Sequence, residues 1–198
     1  MKFLTLSEGS TNAVVSTADM KNFLKVDGSA DDTVIASYVK MATSYLEQYT
    51  NRAFLTSTWE LSLDRKDVVG TSIELPRTPL QSIESIKTFD AEDAETTLDD
   101  SNYSADKSKQ PGRVFLANGG AWPSDLRSEK AMVINFKAGW EDSIGDVDDF
   151  YKDLVAGAVM TMVAGFYDNR SGGEVPFATI PAAKPAREML QSLRILTL

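Results

Sequence analysis

The 198-residue sequence predicts an α+β fold, an α-helical bundle carrying an inserted small antiparallel β-unit. Three observations predict it. Apolar residues recur at three- and four-residue steps near both ends of the chain, the mark of amphipathic helices. The middle switches to alternation, most clearly in TSTWELSLDR, where Trp59, Leu61 and Leu63 face one way and Glu60, Ser62 and Asp64 the other. Proline and glycine punctuate that middle, at Pro76, Pro79 and Pro111-Gly112. The expected organisation is an N-terminal arm over 1–15, a helical bundle from 16–53 and 141–198, and the β-unit at 54–140.

Each element has a local cause. The first residues, MKFLTLSEGSTNAVVS, hold a four-residue apolar patch, too short for the apolar region of a signal peptide, and read as an arm or a short edge strand. Ser16 and Thr17 offer a hydroxyl cap to ADMKNFLKV, with Met20, Phe23 and Leu24 on one face and a turn at Asp27-Gly28. A second helix runs from about 31 to 50, with acids at its positive end and Ile35, Tyr38, Val39, Ala42, Tyr45, Leu46 and Tyr49 at helical spacing. Its tyrosine stripe suits either base stacking or a core or subunit contact, and the second is the commoner use. Pro76 and Pro79 separate two strands, because proline donates no ladder hydrogen bond, and Ile83, Ile86 and Phe89 resume an extended segment. DAEDAETT makes a polar hairpin tip. NYSAD, GRVFLA and AMVINFKAGW are further short strands, with a turn at Pro111-Gly112. Helix returns at DVDDFYKDLVAGAVMTMVAGFYDNR, a Gly- and Pro-rich loop follows to Pro185, and AREMLQSLRIL closes the chain with Met189, Leu190 and Leu193 on one side.

Composition narrows the chemistry. There is no cysteine and no histidine, which excludes disulfides, thiolate metal sites, Ser-His-Asp triads and histidine-ligated zinc. The net charge of −9 works against tight DNA binding, since phosphate neutralisation drives that affinity. Asp90, Glu92, Asp93, Glu95, Asp99 and Asp100 cluster, but without the spacing or central glycine of a calcium loop, and read as a solvated hairpin. No phosphate-cradling glycine motif occurs, and no carboxylate pair stands out from the twenty-nine acids as an acid–base couple. No enzyme activity, cofactor or metal is therefore expected. Val155 to Tyr167 carries no charge over thirteen residues, but such a helix rises only about 20 Å against a bilayer core of about 30 Å. It reads as a buried helix, not a membrane span. Its small residues, Ala156, Gly157, Ala158, Ala164 and Gly165, suit close packing on the 31–50 helix or contact with a neighbouring subunit.

STADMKNFLKVDGSADDTVIASYVKMATSYLEQYTNRAF resembles the N-terminal helical pair of the tailed-phage head–tail connector (adaptor) family, in which an LKVD…DD…I…YLE.YTGR pattern recurs. WELSLD, IELPRTPLQSIESIKTFD, YSADKSKQPGRVFLANGGAWP and VINFKAGW are similar to the middle of that family, and AVMTMVAGFYDNRSG to its late helix. Each motif is weak alone; their shared order is the specific signal. Asn51 stands where the family often has glycine, a mild change because asparagine tolerates a left-handed backbone.

The resemblance implies a virion structural protein of the neck, made in the host cytoplasm. It implies a homo-oligomeric ring, usually twelve-fold, beneath the portal protein. Such a ring extends the DNA channel, lets double-stranded DNA pass without specific binding, and docks the stopper or tail-completion protein. No membrane is involved. By position the portal contact falls on Lys184 to Leu198, including Arg187, Leu190, Arg194, Leu196 and Leu198, and ending the chain near Pro185 is expected to abolish attachment while leaving the subunit folded. Asp90, Glu92, Asp93 and Glu95 are the expected inter-subunit or tail contact. The competing reading from the residues alone is a non-virion cytoplasmic assembly or binding module without catalytic activity.

Overall fold

The computed structural model describes residues 2–117, 119–170 and 182–195. Its strands are β1 (Phe3–Glu8), β2 (Ser57–Leu63), β3 (Ser72–Glu74), β4 (Leu80–Phe89), β5 (Glu95–Thr97), β6 (Tyr103–Asp106), β7 (Arg113–Leu116) and β8 (Met132–Ala138). Its helices are α1 (Thr17–Leu24), α2 (Asp32–Thr50), α3 (Asp149–Asp168) and α4 (Ala183–Met189). Two compact units divide them. Among the described residues, the first joins 2–10 to Thr56–Trp140, and the second joins Thr11–Leu55 to 141–170 and 182–195.

The first unit is antiparallel throughout, and it holds two sheets where the sequence suggested one β-unit. Five strands pair in the order β1-β2-β8-β4-β5, and three in the order β3-β7-β6. The N-terminal segment is an edge strand: Leu4 pairs with Leu61 and Leu6 with Trp59. In β2 the alternation read from the sequence places Trp59, Leu61 and Leu63 in the core. β4 departs from period two. Ile83 and Ile86, three residues apart, pair with Phe136 and Ile134, two apart, because the register shifts between Ile83 and Ser85. A bulge puts an extra residue on one strand and so changes which face the next side chain takes. Gly112 is set by a close approach, since a Cβ there would lie 2.6 Å from Leu80 Cβ.

The second unit is helical. Ser16 Oγ accepts from the Asp19 amide at 3.0 Å, capping α1, and Lys25 closes that helix in the left-handed region at φ 57, ahead of the Asp27-Gly28 turn. α2 buries Ile35, Val39, Ala42, Leu46 and Thr50, leaving Tyr38, Tyr45 and Tyr49 half-buried on its flank. α3 runs antiparallel to it. The Tyr167 hydroxyl donates to the Asp31 carboxylate, and the Tyr38 and Phe166 rings stand 5.8 Å apart. That hydrogen bond, followed by burial, raises the Tyr167 pKa. α3 packs on both α2 and α4. Ala158 is fully buried, whereas Ala156, Gly157, Ala164 and Gly165 are half-buried, and a Cβ on Gly157 would lie 3.7 Å from Met189 of α4. Among the described residues no helix is long and apolar enough to cross a membrane.

The end of the chain differs from the periodicity reading in two respects. α4 begins at Ala183, so Pro185 lies in its first turn, where a missing N–H leaves no helix bond unmade. It stops at Met189, and a 3-10 turn follows over Gln191–Leu193. Leu190 and Leu193 are buried together with Ala183 and Ala186, but Met189, expected beside them, is 42% exposed.

Candidate functional site

The C-terminal segment is fastened to the end of α2 by the residues that follow that helix. Asn51 takes the left-handed cap at φ 57, and its side-chain amide donates to the Ile195 carbonyl at 2.8 Å. The Ile195 amide in turn donates to the Thr50 carbonyl at 2.9 Å. Arg52, 7% exposed, donates Nε to the Leu193 carbonyl at 2.6 Å. Burial pushes its guanidinium below the usual arginine range, an effect that Tyr151 partly offsets. Glu47 completes the corner by accepting from the Phe54 amide at 2.7 Å. The stretch YLEQYTNRAF therefore works as a clamp, in which asparagine does what glycine at the same cap cannot. Sequence reasoning gave Arg52 no role; an arginine directly after a left-handed helix cap is the signal for it.

Three of the five residues assigned to portal contact lie in this segment. Leu190 is fully buried in the helical unit and belongs to its core. Arg187 and Arg194 stay at the surface, half-buried and exposed respectively, and converge on one ring. Their guanidinium carbons stand 6.0 and 5.0 Å from the Tyr49 centroid. Leu196 and Leu198 lie outside the described residues. The segment is thus part of a folded unit, and the expectation that a chain ended near Pro185 stays folded does not fit it: Ala186, Leu190 and Leu193 are buried, and the acceptor for Arg52 comes from beyond the cut.

The acidic hairpin between β4 and β5 is largely engaged within itself. Asp90 Oδ1 accepts from the Glu92 and Ala94 amides at 3.0 and 2.8 Å, closing the turn. Asp93 pairs with Arg127 at 2.9 Å, and Glu95 with Lys87 at 2.8 Å. The Arg127 guanidinium also lies over Phe89, 4.2 Å from its centroid. Glu92 is exposed at the tip. Nearby, Asp99 caps a short turn: the Ser101 hydroxyl and then its amide hold this carboxyl below the usual carboxylate range. These are turn and ion-pair roles, and among the described residues no three acids gather as a metal site. An open groove in the first unit, lined by Arg65, Val68, Thr71, Trp122, Pro123 and Leu126, has a volume of about 490 Å³ but no carboxylate lining it.

Residues 16–110, just under half of the chain, match the model of the phage gp6-like head-tail connector proteins. No curated protein sequence matches the chain. Among solved structures, the chain is similar to one from the neck of an empty gene transfer agent particle computed with C6 symmetry, with TM-score 0.76 and 19% identity over 99% of this chain and 97% of that one. A chain from the virion of a native gene transfer agent particle gives TM-score 0.73 at 20% identity, with the same coverage of both. One from the neck of the native particle computed with C12 symmetry gives 0.66 at 20% identity, over 98% of this chain and 97% of that one. At these identities the structural likeness speaks for the fold, and it runs through both units. The motif order and the helical pair agree with the family match, which covers residues 16–110.

Proposed function

We propose that this chain is the head–tail adaptor of a phage-like particle, a structural component of the virion neck. Copies made in the host cytoplasm assemble as a twelve-fold ring beneath the portal. The ring extends the DNA channel and offers its far side to the stopper or tail-completion protein. The observation that carries this reading is the family match over residues 16–110, joined to a fold likeness over 99% of the chain to a neck component. Necks computed with C6 and with C12 symmetry are both compatible with twelve copies. The role is mechanical and non-catalytic. The net charge of −9 favours a channel that duplex DNA traverses without being held. Portal contact falls to Arg187, Arg194 and the terminal residues, because Leu190 is spent on the subunit's own core. The hairpin tip, with Glu92 outermost, faces a neighbouring copy or the next ring.

The test is size-exclusion chromatography with light scattering and negative-stain microscopy, on the protein alone and mixed with portal-bearing, tail-less capsids. Twelve-fold rings, free or seated at one capsid vertex, are expected. A monomer that leaves the capsids bare refutes the adaptor reading.

A further inference from the structure

Strand β1 leaves an open edge. It bounds one side of the five-stranded sheet and, among the described residues, pairs with β2 alone. Every second residue of such a strand turns its N–H and C=O away from its neighbour. An edge of this kind is a template for another strand, and proteins blunt it with charges, proline or bulges. From Phe3 to Ser7 there is no charge and no proline, and the break in register falls after Leu6. The side chains are open as well: Phe3 is 62% and Leu6 49% exposed.

The far side of the same sheet has a matching vacancy. β8 lines β4 from Leu80 to Thr88, but β5 reaches only Lys87–Phe89 on the other side, with one further bond from the Leu98 amide to the Ile86 carbonyl. Among the described residues, the outer edge of β4 over 81–85 meets no strand. That stretch is as long as Phe3–Ser7. The directions also agree. β1, β2, β8 and β4 are antiparallel at each step, so β1 and β4 run in opposite senses. A β1 laid on the open edge of another copy's β4, in continuation of the sheet, is antiparallel to it.

Resting on the adaptor reading, we infer that β1 of one copy pairs with the open edge of β4, residues 81–85, in the next copy, so that the five-stranded sheets join edge to edge around the ring. A ring joins unlike surfaces of successive copies, and the two edges of one sheet are such a pair. β1 against β1 would instead close a two-fold dimer and stop there. Strand addition draws its affinity from main-chain hydrogen bonds, and here it also covers Phe3 and Leu6.

The chain has no cysteine, so introduced pairs report the contact without background. Thr5→Cys is combined in turn with Ser82→Cys, Ile83→Cys and Glu84→Cys on the full chain. Each variant is oxidised, free and on portal-bearing capsids, and run on denaturing gels without reductant. β4 is bulged against β8 in this stretch, and the scan reads the register on its open side. Three strand spacings, about 14 Å, separate the two positions within one copy, too far for an internal disulfide. The expected result is a ladder of covalent oligomers from at least one pair and monomer from every single-cysteine chain. Phe3→Lys/Leu6→Lys places charge at two exposed edge positions and should lower the yield of rings about tenfold, with circular dichroism melts unchanged. Dimers from Thr5→Cys alone overturn this assignment in favour of two-fold β1 pairing. No ladder from any of the three pairs, or rings undiminished by the two lysines, overturns it as well. All three outcomes leave the adaptor reading standing. Wild-type protein that forms no ring, free or on portal-bearing capsids, overturns the adaptor reading, and this assignment with it.

Discussion

Ending the chain after Pro185 removes Ala186, Leu190 and Leu193, which are 0%, 0% and 6% exposed in the helical unit. Cutting a buried leucine back to alanine costs about 2–5 kcal/mol, so losing two whole leucines costs at least about 4–10 kcal/mol. The cut also takes the carbonyls of Leu193 and Ile195 from Arg52 and Asn51, and the Ile195 amide from Thr50. Arg52 then loses the Leu193 acceptor, a hydrogen bond from a charged group worth about 1.5–3 kcal/mol. A folded domain is stable by only about 5–15 kcal/mol, so the truncated helical unit should be largely unfolded. The assay is urea denaturation followed by far-ultraviolet circular dichroism, comparing the full chain, the chain ended at Pro185, and a chain ended at Ile195 that keeps all of these contacts. The expected outcome is loss of the cooperative helical transition in the first truncation and its retention in the second. A chain ended at Pro185 that unfolds within about 1 kcal/mol of full length would refute the argument that the segment belongs to the core.

Gly112→Ala drives a Cβ to 2.6 Å from Leu80 Cβ and should lower stability by about 1–3 kcal/mol in a thermal melt. Adding Leu80→Ala should not restore it, because that change keeps the clashing Cβ. Asn51→Gly should lose only the hydrogen bond to Ile195, about 1 kcal/mol, while Asn51→Ala should lose about 1 kcal/mol more, since alanine resists φ 57; equal melts for the two would count against the left-handed strain. Tyr167 has a raised folded pKa, first from its hydrogen bond to Asp31 and then from burial. Its contribution is fully present below the unfolded tyrosine value near 10 and is lost as pH rises through the higher folded value. Tyr167→Phe should therefore flatten the fall in stability above about pH 10, and should remove one late-titrating phenol from the absorbance titration at about 295 nm. Tyr103, raised by burial and then by its bond to Asp100, should titrate late in both proteins.

Helices α1, α2 and α3 were legible because their signals are local. Capping at Ser16, the repeat from Ile35 to Tyr49 and the acids before α3 all act within a few residues. The alternation of Trp59, Leu61 and Leu63 is local in the same sense. What escaped is pairing between distant residues. Nothing near Leu4 announces Leu61 as its partner, and nothing near Leu80 announces Gly112. The division of the β-unit into two sheets is of that kind. At the candidate site, the hairpin acids were legible as acids but not as engaged ones, because Arg127, the partner of Asp93, comes from a turn 34 residues later. Arg187 and Arg194 were legible as candidates, while the ring that gathers them belongs to α2.

The corner after α2 joins these threads. Thr50, Asn51 and Arg52 lie within the segment that matches the connector family, and the residues they hold, Leu193 and Ile195, lie far outside it. The matched segment thus contributes the anchor, and the unmatched end contributes the element that the anchor positions. Under the proposed adaptor function, a C-terminal segment tied by three hydrogen bonds and two buried leucines meets the portal already ordered, so binding there spends little on fixing the chain. A rigid mount of this kind also repeats identically in every copy of a ring, which a loose tail does not. The buried Arg52 is the point on which that rigidity turns. Arg52→Met keeps most of the volume and removes the bond to Leu193, so it should weaken portal attachment through the loss of order around Arg194 while the subunit stays folded. Hydrogen exchange at the Ile195 amide separates the two effects. Faster exchange with unchanged portal affinity would mean that the order of this segment does not matter for seating the ring.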